Sequence, residues 1–189
     1  GSAFWFHRND AFDARNFFDP GPVPEFRRQQ FGASLGGPLR KNQTFFFANY
    51  EGLRELKGET SGDVTPNANA RRGLLPNPVT GNLESVGVNP AVEPFLALYP
   101  LPNGADFGNG TGLWQGNANR QAEDNFVTLR VDHRLSDRDT LFGRHTYDAS
   151  HAFLPFGGNA PFPGFARFNT GRDHVLTVEE THMFSPALL

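Results

Sequence analysis

Along Gln30–Leu39, QFGASLGGPL, the apolar residues Phe31, Ala33 and Leu35 alternate with Gln30, Gly32 and Ser34. Along Asn125–Leu135, NFVTLRVDHRL, Val127, Leu129 and Val131 alternate with Thr128, Arg130 and Asp132. Period two places successive side chains on opposite faces of a strand, so both segments read as strands with one apolar face. Four more segments read as strands with blurred alternation: Ser2–Arg8, Thr44 to about Leu56, Thr140–Ser150 and Asp173–Phe184. In the third strand, Phe45, Phe46 and Phe47 stand together. Alternation there leaves either Phe46 or the Phe45/Phe47 pair on the apolar side.

The connections carry as much information as the strands. Tight polar turns, RKNQ and SDRD, join the second strand to the third and the fourth to the fifth. Between them run long connections, 9–28, 58–123 and 151–171, rich in proline and glycine. Inside the longest, NPAVEPFLALYPLPN sets Val92, Phe95, Leu96 and Tyr99 at helical spacing, which predicts a short helix that packs the loop on itself. Loops of this length are out of place in a compact soluble domain. Short turns alternating with long loops are the pattern of an outer-membrane barrel. The expected fold is therefore all-β: a fragment of a large transmembrane antiparallel β-barrel, with about six strands, short periplasmic turns and long extracellular loops. Residues 58–123 form the longest of those loops.

Composition narrows the function. The chain has 20 Phe, 21 Gly and 15 Pro, no Cys, and a net charge of −3. A pI near 6.1 leaves no electrostatic footprint for nucleic acid. Without cysteine, disulfides, zinc–thiolate sites and cysteine nucleophiles are excluded. No apolar run reaches the ~18 residues of a membrane helix, which says nothing against crossing with strands. The start at Gly1-Ser2 and the end at HMFSPALL read as the cut ends of a fragment.

Candidate chemistry is sparse. GASLG matches the nucleophile-elbow pattern G-x-S-x-G and nominates Ser34, but Gly37-Pro38 disfavours the helix that must follow. The six histidines, His7, His133, His145, His151, His174 and His182, form no H-E-x-x-H pair, and DHRLSDRD lacks EF-hand spacing. No catalytic, cofactor or metal residue is assigned, and no enzyme activity is expected. In a barrel, Arg130, Asp132, Arg144 and Asp148 line the wet interior as cross-strand pairs. The loop aromatics Phe107, Trp114, Phe162 and Phe165 are candidate contacts for an extracellular substrate, with simple loop packing as the alternative. Outer-membrane lipid is the other expected partner. Two rival readings are a secreted β-sandwich module that binds glycans and a serine hydrolase acting through Ser34.

Six blocks in order, GSAFWFHRNDAFDARNFFD, FGASLGGPLRKNQTFFFANYEGLRE, ALYPLPN, NFVTLRVDHRLSDRDTLFGRHTY, FNTG and HMFSPALL, resemble the early barrel region of TonB-dependent outer-membrane receptors of the Oar-like, carboxypeptidase-regulatory-like type. The resemblance covers most of the chain and is weakest over 57–90 and 103–123. It implies a plugged 22-stranded barrel that imports a bulky substrate using TonB-coupled energy. The plug, the TonB box and the contact with the TonB complex are expected in a longer parent chain. The family usually carries a polar residue where Trp5 stands and aromatics where His145 and Glu180 stand. No substrate residue transfers position by position.

Overall fold

The computed structural model describes residues 1–15, 22–157 and 165–185. Its strands in chain order are β1 (Ser2–Asn9), β2 (Phe26–Arg40), β3 (Thr44–Pro66), β4 (Leu74–Pro76), β5 (Leu83–Ser85), β6 (Thr111–Arg134), β7 (Asp139–Leu154) and β8 (Arg167–His182). Two one-turn helices, α1 (Ala68–Arg71) and α2 (Glu93–Leu96), lie between β3 and β6. Six strands form one antiparallel sheet in the order β1-β2-β3-β6-β7-β8, and β4 pairs with β5 in a separate hairpin.

All six expected strands are present, and five of them, β2, β3, β6, β7 and β8, run at least four residues further than expected at one end. β3 has 23 residues and β6 has 24, paired from Thr44↔His133 to Pro66↔Thr111. The expected loop 58–123 therefore narrows to residues 67–110, because Gly58–Pro66 and residues 111–123 continue the ribbon. The predicted helix is also shorter. Beyond α2 the bonds from Leu98 N–H to the Phe95 carbonyl and from Tyr99 N–H to the Leu96 carbonyl tighten the chain toward Pro100.

The two tight turns lie at one end of the sheet. Asn42 adopts φ 57°, a left-handed turn conformation that asparagine tolerates. Gln43 N–H donates to the Arg40 carbonyl at 3.1 Å and closes that turn. The register shifts between Pro38 and Arg40, where proline brings no N–H to the ladder. At the second turn, Leu135 N–H donates to the Asp139 carbonyl at 2.9 Å.

Register assigns every side chain to a face. One face carries Phe31, Ala33 and Leu35 of β2, Phe46, Ala48 and Tyr50 of β3, Val127, Leu129 and Val131 of β6, and Leu176 and Val178 of β8. The other carries Ser34, Asn49, Glu51, Thr128, Arg130, Asp132, Arg144, Thr146 and Asp148. The Phe45–Phe47 ambiguity resolves: Phe46 joins the apolar face, while Phe45 and Phe47 lie beside Asp132 and Arg130. On β3 the apolar stretch is bounded by Thr44 and Arg54, close to the ~9–11 residues a tilted strand needs to cross a bilayer.

Nothing in this sheet serves as a water-excluding core. The only buried apolar side chains among the described residues are those of Trp114, Ala149 and Pro155. Leu129 and Val131 of the apolar face, on the interior strand β6, are 51% and 45% exposed. A soluble sandwich would cover that face with a second sheet, and among the described residues there is none. An uncovered apolar band opposite a polar face is the cross-section of a barrel wall between hydrocarbon and water. β1 pairs only with β2, and β8 only with β7, so closure takes more strands than these six. Leu129→Arg, in mid-band, is expected to cost ~2–4 kcal/mol of folding stability in a bilayer. Its neighbour Thr128→Arg, on the wet face, is expected to cost less than about 0.5 kcal/mol. Urea titration of the full-length protein into lipid vesicles measures both.

Candidate functional site

Away from the turns, the β3–β6 ribbon outruns its neighbours. β2 pairs with β3 only as far as Lys57, and β7 pairs with β6 only as far as Gln121. A strand of 23 residues is roughly 75 Å long at ~3.3 Å per residue, so more than half of β3 stands clear of the hydrocarbon. Residues 67–110 fold back on this extension as a lobe. Asn67 N–H donates to the Gly110 carbonyl at 2.9 Å, and the Asn67 side chain caps α1 through the Asn69 and Ala70 amides. Residues 103–107 return along the outer edge of β6. Gly104 N–H donates to the Leu113 carbonyl, Leu113 N–H to the Ala105 carbonyl, and Phe107 N–H to the Thr111 carbonyl. The Asn103 side chain imitates a further strand residue by bonding both the amide and the carbonyl of Gln115.

The predicted contact aromatics fall into different settings. Trp114 is 6% exposed, its indole lying over Gly116 and meeting Phe156 edge-on at 6.3 Å. It packs against the segment after β7, across the ribbon. Phe156 escaped the sequence reading. Its only signal was its place in a Pro-Phe-Gly turn. Phe107 is half-exposed at the tip of a turn whose Gly108 and Gly110 have positive φ, and Phe165 is 38% exposed just before β8. Phe162 lies outside the described residues. Thr65, opposite Gly112, is fully buried where the lobe meets the ribbon, and its hydroxyl has no partner among the described residues.

The wet face of the wall carries a ladder of charge. Glu55, with its side chain 13% exposed, lies between Arg28 at 3.8 Å and Arg120 at 3.7 Å on the flanking strands. Nearer the turns, Arg130 grips Asp132 through two nitrogens, at 2.8 and 2.6 Å, with the Phe142 ring 3.9 Å from its guanidinium carbon. This pair is made within β6, so the expected cross-strand pairing is corrected: Arg130 lies opposite Arg144, a like charge. Asp148 lies directly opposite Asp173. An open recess of about 750 Å³ at the turn end is lined by Phe45, Arg130, Asp132, Phe142, Glu179 and Thr181. Ser34 sits mid-strand, its hydroxyl 2.8 Å from that of Ser2, and β2 continues past it to Arg40. The strand–turn–helix setting of a nucleophile elbow is therefore missing.

Asp139, Glu180 and His182 bring ligand-type atoms within 4.8 Å of one another beside the second turn, a grouping that sequence spacing did not reveal. These groups already serve the turn. The Asp139 carboxylate accepts from the Ser136 hydroxyl and bonds His182. The Ser136 hydroxyl foremost, and His182 after it, hold the Asp139 carboxyl below its ordinary value.

A wall with hydrocarbon on one face, water on the other, tight turns at one end and a folded lobe at the other defines a membrane-spanning antiparallel β-barrel. A family model described as an outer membrane beta barrel domain matches residues 1–189, and the chain belongs to that family. The protein is thereby placed in the bacterial outer membrane, with its short turns in the periplasm and its lobe outside. No curated protein matches the chain, and neither does any solved structure.

Two variants test this geometry. A Cβ at Gly116 would lie 2.6 Å from Trp114 Cη2. Gly116→Val is therefore expected to eject the indole, red-shifting its fluorescence in a Trp5→Phe background and opening the lobe to protease. Ser136→Ala is expected to raise the Asp139 pKa toward the ordinary carboxylate value of about 3.9. Because the folded-state value is depressed, the contact stabilises the turn above the ordinary value and is lost as pH falls through the depressed one. Carboxyl-carbon NMR of the protein in bilayers, titrated with acid, follows the shift.

Proposed function

We propose that this wall belongs to a TonB-dependent outer-membrane receptor of the Oar-like type, which captures a bulky substrate outside the cell and imports it through a plugged lumen. The observation that carries the reading is the β3–β6 ribbon, which rises far beyond the bilayer and supports a folded lobe. A barrel that only seals or anchors needs no such projection, whereas a receptor needs a platform that meets cargo too large to diffuse through. The order of the six receptor-like sequence blocks supports the same conclusion. In this reading Phe107 and Phe165 are contact residues on the extracellular side. The charged ladder from Glu55 to Asp132 faces the plug or the passing substrate. The energy-coupling contacts with TonB belong to parts of the parent protein beyond these residues, and the chain contributes recognition and passage with no catalytic group.

A porin-like open channel is the reading to be separated from this one. The full-length protein in planar bilayers, bathed in potassium chloride, is expected to be closed at rest. It should show large conductance steps once urea displaces a plug while the barrel, whose backbone groups are all paired between strands, stays folded. Steady open conductance without urea would sink the receptor reading and leave a passive pore.

A further inference from the structure

Just above the apolar band, the outer wall carries charges of both signs. The face of Leu129 and Val131 continues there as Arg27 and Gln29 of β2, Arg54 and Leu56 of β3, and Gln121 and Glu123 of β6. These side chains line an open recess of about 340 Å³. Arg54 bounds the apolar stretch on β3, and the aromatic pair Phe31 and Tyr50 lies just below it, so the recess stands at the depth of the outer headgroups. Every strand here is paired on both sides. Arg27 lies between Asn9 and Leu56, Leu56 between Arg27 and Gln121, and Gln121 between Leu56 and Phe153. The surface is thus complete at this height, and it faces away from the lumen. Glu55 also touches the recess, but Arg28 and Arg120 engage its carboxylate on the wet face.

The charged groups are held unequally. Arg54 is fixed: Nη1 donates to the Leu53 and Asp124 carbonyls at 2.7 and 2.9 Å, and Nη2 donates to Asn125 Oδ1 at 2.8 Å. Its Nε–H and its second Nη2–H have no hydrogen-bond partner among the described residues. Glu123 lies 3.7 Å from that Nε, too far for a hydrogen bond, and its side chain is 58% exposed. Arg27 has a side chain 55% exposed and reaches only Glu25, at 3.4 Å, among the described residues. Contacts so long and so wet contribute little, and exchanging them for a new partner costs little. The recess therefore offers two guanidiniums with donors to spare and, beside them, a carboxylate that accepts no hydrogen bond from the described residues.

Cations and an anion side by side complement a zwitterion, and headgroup depth selects a lipid. We propose that the recess between β2, β3 and β6 binds the phosphoethanolamine headgroup of a phospholipid, its phosphate on Arg27 and Arg54 and its ammonium on Glu123. The planar fork of arginine suits a phosphate. A primary ammonium has N–H groups to donate to Glu123, whereas the quaternary ammonium of choline has none. The acyl chains descend from the recess along the apolar band, past Ala33 and Leu35 of β2 and Ala48 of β3. The site depends on the barrel standing in the membrane and is independent of what crosses the lumen.

Electron paramagnetic resonance on the full-length protein in phosphatidylcholine vesicles tests this, with chain-labelled phosphatidylethanolamine, phosphatidylcholine and phosphatidylmethanol of identical acyl chains. The wild-type protein is expected to immobilise phosphatidylethanolamine roughly fivefold in preference to phosphatidylcholine, the effect of one charged contact at the membrane surface. It should also prefer phosphatidylethanolamine to phosphatidylmethanol, which keeps the phosphate and lacks the amine. Glu123→Gln should abolish or reverse this second preference. Arg27→Gln should weaken retention of both lipids. Lys57→Gln, at the same height on the wet face, should change nothing. Millimolar free phosphoethanolamine should not displace the lipid, because the acyl chains help to hold it. Equal immobilisation of the three lipids by wild type would overturn the proposal. So would stronger retention of phosphatidylmethanol, which would mark a site for anionic lipid. A preference that survives Glu123→Gln, an equal loss in Lys57→Gln, or ready displacement by free phosphoethanolamine would each overturn it as well.

Discussion

A backbone amide in hydrocarbon has one source of hydrogen bonds, the neighbouring strand, because lipid offers none. That constraint organises this chain more than any side-chain core. The sheet holds together through ladders that run from β1 to β8, broken at the register shift between Pro38 and Arg40, while apolar burial within the protein is nearly nil among the described residues. Side chains are thereby released from packing duty and sorted by solvent. Phe46 and Leu129 meet lipid; Asn49 and Thr128 meet water. One residue of slip would exchange the two sets, so the register is fixed by the penalty for putting Arg130 or Asp132 into hydrocarbon.

The lobe obeys a different rule, since it stands in water and must satisfy its groups by folding on itself. At its foot Trp114 packs against Phe156 of the segment after β7, and glycines make the room. Gly112 admits the close approach of Pro102 and Ala105, and Gly116 admits the indole. The returning segment 103–107 then covers the edge of β6 that no sheet neighbour reaches. An exposed edge on a long ribbon invites pairing with foreign chains, and this segment blunts it.

The strands that cross the bilayer were legible in the sequence wherever one face is apolar and the other is not. Phe31, Ala33 and Leu35, and Val127, Leu129 and Val131, announced their face directly. Gly58–Pro66 and its partners from residue 111 to 123 were unreadable as strand for a physical reason. Above the membrane both faces see water, so no alternation is imposed on GETSGDVTP. The same limit hid Trp114, whose burial depends on Phe156 arriving from a distant turn. It also hid the meeting of His145 with His174, since strand pairing alone brings residues 29 apart into contact.

The bond between Asn67 and Gly110 reaches beyond the lobe. Pairing Thr44 with His133 directly would close a chain of nearly ninety residues at a large entropic cost, and it would be slow. Once the lobe has folded, Pro66 and Thr111 already stand side by side. The ribbon then grows from that junction toward the periplasmic turns, each new pair adding only a few atoms of loop. The lobe that meets the outside world is thus also the clasp from which the barrel's longest hairpin zips shut.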